Sequence, residues 1–179
     1  MNIFAIDRDP VIAAMHLVDK HVSKMVLESA QMLANCFEPK HLEAIDCPRT
    51  QKGSVRKHSY FNHPCSIWVR TSKSNMRWLI LHAQAMDDER MQRYKLKSTA
   101  EVLPHFSSSF INWCEVNIDS SNVPEGPLTE FAQAMPDEFK DKDSVVAYRN
   151  LYREGKSHLH YWQRNKPSWL LCITSHPTS

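Results

Sequence analysis

The stretch DPVIAAMHLVDKHVSKMVLESAQMLAN, residues 9–35, reads as one long amphipathic helix. Asp9 offers an N-cap oxygen, and Pro10 suits the first helical position, where no backbone N–H is needed. The helix is expected to run from Val11 to about Asn35, with Val22, Met25, Val26, Met32 and Leu33 on one face that packs inward. His21 and Glu28 project within about 20° of each other, two turns apart, along the border of that face, with Lys24 and Gln31 beside them. Two readings are open for this border. It is an ordinary solvated edge carrying a Lys24–Glu28 pair at i,i+4, or it is the wall of a site.

Working outward, the same helical character extends along the chain. Three glycines in 179 residues exclude glycine-rich phosphate loops and dinucleotide fingerprints and disfavour tight hairpins. The fold class expected is therefore all-α, a single compact domain over residues 1–179 with about four to five helices and long proline-containing loops. CFEPKHLEAIDCPRTQKGSVRKHSYFNHP, residues 36–64, holds three prolines and a glycine without a sustained period, and reads as a long connection. A helical zone follows from about Ser66 to about Tyr94, broken near TSKSN, where Ser72 or Ser74 can cap. A shorter amphipathic piece spans Ala100 to Val116, followed by the proline-punctuated NVPEGPLTEFAQAMPDEFK. The last helix is expected from Ser144, capped by Asp143, carrying Tyr148, Leu151, Tyr152, Leu159 and Trp162 until NKPSWL ends it.

The net charge is only +2, but it is unevenly distributed. Residues 49–97 carry 11 Lys and Arg against 3 acids, and residues 145–179 carry 5 against 1, while 98–144 carry 9 acids against 2 bases. If the two basic zones meet, they make a positive face for phosphates; otherwise they are solvated surface. Five scattered cysteines without a C-x-x-C pair suggest reduced structural thiols. The ten histidines show no H-E-x-x-H, and no metal or cofactor is expected. No run of about 18 apolar residues is present to span a membrane and the start lacks an export signal, so the expected location is the cytoplasm. HLHYWQRNKPSWL, residues 158–170, interleaves Trp162 and Trp169 with Arg164 and Lys166, a mixture that can stack bases and hold phosphates or simply close the core.

Several motifs together resemble one family. LVDKHVSKMVLE, residues 17–28, has an L-x-D-x-H start followed seven residues later by a glutamate; NHPCSIWVRTSKSNMRWLILHAQAMDDERMQRY is a histidine-led long helix ending in basic residues; MPDEFKDKD and NKPSWL follow in order. This order is similar to the small all-helical pyrimidine-dimer DNA glycosylases of the phage endonuclease V type. The resemblance implies an endonuclease V-like fold, and a protein that flips a nucleotide out of damaged DNA, cleaves the glycosidic bond and nicks the strand by lyase chemistry. It implies Glu28 as the catalytic carboxylate, His21 beside it, and an N-terminal amine that attacks the sugar C1′. Asn2 is a bulky second residue that leaves Met1 in place, so the amine expected here is that of Met1. An α-amino group is partly uncharged at neutral pH and can serve as a nucleophile.

The arginines that the family sets beside its glutamate correspond here to Leu27 and Gln31. Candidate replacements for binding a nucleic acid or nucleotide are Lys24, His63, Arg70, Arg77, Lys156, Arg164 and Lys166, with Trp169 as a stacking surface. The function expected is a phage-type DNA N-glycosylase acting on a damaged or modified base, with or without lyase activity, in the host cytoplasm if phage-encoded. The alternative is a non-catalytic pocket protein that holds a nucleotide or nucleotide-derived signal. The expected partner is DNA or a nucleotide-like ligand.

Overall fold

The computed structural model of the chain describes residues 1–95 and 106–170. Among these residues it contains seven α-helices and no strand: α1 (Pro10–Met15), α2 (Asp19–Ala34), α3 (Pro39–Glu43), α4 (Pro64–Val69), α5 (Lys73–Arg93), α6 (Phe106–Val116) and α7 (Ser144–Asn150). The architecture is all-α, as expected and endonuclease V-like in its order. The helix count is higher because one expected helix is divided and because a short helix forms at Pro39–Glu43, while α4 and α5 are the helical zone expected from about Ser66 with its break near TSKSN. The part of the expected helix from Ala100 to His105 lies outside the described residues, as does Cys172.

The helix expected from Val11 to Asn35 is two helices. Asp9 caps α1 through Val11 N (2.8 Å) and Ile12 N (3.0 Å), and Val18 then leaves helical geometry at φ −62°, ψ 150° before α2 begins. Breaking a helix orphans its backbone groups, and these find distant partners. Arg93 donates to the carbonyls of Met15 (2.6 Å) and Leu17 (2.7 Å), Trp162 Nε1 donates to that of His16 (2.9 Å), and Asp19 N donates to Tyr161 O (3.1 Å). Arg93 is itself buried between Asp19 (2.9 Å) and Glu89 (2.8 Å). With these three carbonyls satisfied from α5 and the C-terminal segment, the break does not leave them buried and unpaired.

The amphipathic α2 packs its Val22, Met25, Val26, Met32 and Leu33 inward, as its periodicity requires, against α5 and α6, with α1 also on α5. Ser72 caps α5, its Oγ accepting from Asn75 N (3.2 Å). Asp143 caps α7 through Val145 N (2.8 Å). The last helix is shorter than expected. It widens into a π turn at Leu151–Gly155 and stops, so Leu159 and Trp162 are not on it. A side chain at Gly155 would come within 2.9 Å of Leu151 Cδ1 and 3.1 Å of the Phe139 ring.

The N-terminal segment Ile3–Ile6 has no regular structure and is fully enclosed by this scaffold. Arg149 of α7 holds it by donating to Ile6 O (2.9 Å) and pairing with Asp7 (3.0 Å). Cys36, Cys47, Cys65 and Cys114 are buried free thiols. Among the described residues, no helix is long and apolar enough to cross a membrane.

Candidate active site

The beginning of the chain is built into the core. The Met1 side chain is only 2% exposed, and its Sδ accepts a hydrogen bond from Ser66 Oγ of α4 (3.4 Å). Asn2 Nδ2 donates to Ala134 O (2.9 Å), while its Oδ1 accepts from Ile3 N (2.8 Å) and Phe4 N (3.1 Å). That local turn feeds Phe4 in at φ 42°, a left-handed conformation rare for a bulky residue. Anchored on both sides, the terminus has little freedom to move.

These contacts bring the terminus to Glu28. The Met1 α-amine is 3.7 Å from Glu28 Oε2, and Asn2 N donates to the same oxygen (3.0 Å). Lys24 Nζ, one turn earlier on α2, holds the other oxygen at 3.2 Å. The Glu28 side chain is 13% exposed and Lys24 is 70% exposed, so one end of the carboxylate faces the core and the other faces solvent. The i,i+4 pair anticipated from the sequence is present, and the same carboxylate is also engaged by the N-terminus. His63 stands at the edge of this group. It N-caps α4, its Nδ1 accepting from Cys65 N (3.2 Å). Burial pushes its pKa below the ordinary 6.5, the nearby amine adds to that shift, and Glu28 opposes it.

His21 occupies the inner part of the site. Its ring lies flat against Phe4, with centroids 4.2 Å apart and planes 11° from parallel. Tyr152 OH is 2.5 Å from His21 Nδ1. The contact engages Nδ1, so Nε2 is the ring nitrogen left outside this bond. Burial lowers the His21 pKa to about 4, and the charges of Lys156 and Lys24 push in the same direction. Trp169 packs edge-on behind Tyr152, with centroids 6.4 Å apart.

Glu28, Met1, Lys24 and His63 therefore share one region, with His21 one turn before Lys24 on α2 and Lys156 near enough to act on the His21 charge. The remaining candidates do not join them. Arg70 is spent on the backbone, donating to Ser66 O (2.9 Å) and Phe61 O (2.6 Å). Arg77 lies on α5 beside Leu81, Glu115 and Ile118. Arg164 contacts Gln92 and lies 3.8 Å from Glu89, and Lys166 follows it on the same exposed C-terminal segment. Trp169, half-buried, lies under Arg149 and Arg153 and backs Tyr152 instead of offering a face to solvent. Much of the basic charge is neutralised in place: Lys73 pairs with Asp119 and Glu125, Arg90 with Asp87, and Arg149 with Asp7. Among the described residues no three His, Cys, Asp or Glu side chains could hold a metal ion together.

Four residues of the site carried no functional signal in the sequence. Tyr152 and Phe4 read as ordinary core aromatics, and Ser66 as part of a helix. Asn2 read only as a bulky second residue, although a short polar side chain ahead of a left-handed residue is a local turn signal.

The fold and site define an all-helical protein with a backbone amine fixed against a helical carboxylate. The sequence pattern of the pyrimidine dimer DNA glycosylase family matches residues 1–102, more than half of the chain, and the chain belongs to that family. No curated protein and no solved structure matches it.

Proposed function

We propose that this chain is a DNA N-glycosylase that excises a damaged or modified base, using the Met1 amine as nucleophile and Glu28 as the catalytic carboxylate. The observation that carries this reading is the 3.7 Å separation of the α-amine from Glu28 Oε2, with the amine's own side chain buried. An amine attacking C1′ and a carboxylate assisting it must reach the same sugar from a few ångströms apart, and pre-fixed geometry of this kind supplies much of the rate of such reactions.

In the proposed reaction the nitrogen bonds to C1′ while the glycosidic bond breaks and its electron pair leaves with the base. Glu28 Oε2 takes the amine proton and sits against the positive charge that develops on the sugar. Ring opening gives an imine. Loss of a C2′ proton then expels the 3′ phosphate and nicks the strand, and water frees the amine. Asn2 N–H and Lys24 keep the carboxylate aimed. His21, kept uncharged at neutral pH by burial, has Nε2 outside the Tyr152 contact for a phosphate or sugar oxygen, and Lys24 and Lys156 can neutralise flanking phosphates. Leu27 and Gln31, in place of the family's paired arginines, argue for a base or lesion range different from that of the phage enzyme.

The test is a duplex carrying one cyclobutane pyrimidine dimer, alongside duplexes with single modified bases, each incubated with the chain and borohydride. A covalent adduct and a strand nick are expected, and both should disappear when one residue is added ahead of Met1. Base release that persists after that extension would make water the nucleophile. No reaction on any duplex would overturn the enzyme reading in favour of a nucleotide-binding pocket.

A further inference from the structure

One exposed loop beside the site is held in a conformation that its own packing does not require. Tyr60 has φ 48° and is 69% exposed, and its ring has no hydrogen bond or ring contact among the described residues. A bulky residue in the left-handed region is strained, and an exposed turn that only reversed the chain would be served by glycine or asparagine. The backbone around it is nevertheless clamped. Asn35, buried at the end of α2, donates to Ser59 O (2.8 Å) and accepts from Ser59 N (3.1 Å). His63 N closes the turn onto Tyr60 O (2.9 Å), and Arg70 donates to Phe61 O while its guanidinium lies 3.4 Å above the Phe61 ring. His58 covers Phe61 at 5.3 Å between ring centroids. Phe61, although 40% exposed, is covered by these neighbours, whereas the Tyr60 ring has no such contact.

The clamp is continuous with the candidate nucleophile. Asn35 also donates to Ser66 Oγ (3.3 Å), and that hydroxyl donates to Met1 Sδ. His63, three residues after Tyr60, stands within the field of the N-terminal amine and of Glu28. A rigid aromatic tip and the amine are thus set by the same few side chains.

We infer that Tyr60 enters the DNA stack and fills the space left by an extruded nucleotide. The inference rests on the glycosylase reading. Extruding a nucleotide sacrifices stacking, and an aromatic side chain inserted at the step recovers it. Stacking tolerates any flanking base, because every base offers a π face. The occupant is duplex DNA with a vacated base position, and strain at Tyr60 is retained because a relaxed turn would not point the ring outward.

The experiment uses the full chain and two short duplexes of one sequence, one intact and one with a single tetrahydrofuran abasic analogue, which cannot form an imine. Tyr60→Gly relieves the positive φ, so its melting temperature should equal or exceed that of the parent, while affinity for the abasic-analogue duplex should fall about tenfold or more. Affinity for the intact duplex should not change, and Tyr60→Phe should behave as the parent. Unchanged preference for the abasic duplex in Tyr60→Gly overturns the inference, as does equal loss on both duplexes or a drop in melting temperature. If the parent itself shows no preference for the abasic duplex, the glycosylase reading fails and the inference falls with it, an outcome visible without any variant.

Discussion

Tyr152 OH and His21 Nδ1 are 2.5 Å apart across 131 residues of chain, a buried contact that engages one of the two imidazole nitrogens. Removing the hydroxyl leaves Nδ1 buried without this partner. Tyr152→Phe should cost about 1–3 kcal/mol of stability, read from denaturant melts. It should also let the neutral ring populate both tautomers, which nitrogen-15 shifts of His21 would show, and turnover should fall more than DNA affinity. A variant with parental turnover and a single tautomer would remove His21 from the mechanism.

Glu28→Gln keeps the side-chain shape and an oxygen to accept from Asn2 N, but removes the charge facing Met1 and Lys24. Turnover should drop by about 10² to 10⁴, as for loss of a general base. The melting temperature should change little, because the Lys24 partner is 70% exposed and pairs with an exposed partner contribute about 0–1 kcal/mol. Near-normal excision by the variant would refute the role of the carboxylate; early melting would make it structural.

Arg93 joins the end of α5 to the break between α1 and α2. Arg93→Leu would take the buried cation from between Asp19 and Glu89, both buried, and release the carbonyls of Met15 and Leu17. A loss of about 3–5 kcal/mol is expected in urea unfolding. A loss below about 1 kcal/mol would mean that solvent reaches this cluster.

Stability should depend on pH through two buried imidazoles. Burial holds His21 and His82 at about 4, and both would titrate near 6.5 in the unfolded chain. Between these values the unfolded chain binds protons that the fold refuses. Stability is therefore full above about pH 6.5 and declines as pH falls toward 4, by about 3 kcal/mol for each group. His16 and His63, also lowered by burial, act in the same direction. His82→Asn keeps a donor for Pro10 O, to which His82 Nδ1 bonds at 2.9 Å, and should flatten the dependence. An unchanged pH profile in that variant would show that His82 titrates normally.

The all-helical class was legible in the sequence because its causes are local. Asp9, Ser72 and Asp143 cap the helices they precede, the inward face of α2 follows from its period, and three glycines leave little room for hairpins. The nearness of His21, Lys24 and Glu28 was legible for the same reason, since residues three, four and seven apart on a helix share a side. The partners of those side chains were not. Whether Glu28 forms only a surface pair or also receives Met1 depends on Ser66 and Ala134 anchoring the N-terminal residues, contacts spanning 65 and 132 positions. Residues 16–18 have a helical pattern, yet the helix breaks there, and Arg93 and Trp162 reach from far along the chain to satisfy the freed carbonyls. Capping and periodicity act over one or two turns and are written in neighbouring residues, whereas satisfying a buried polar group depends on which distant side chain reaches it, and that is decided only when the chain has packed.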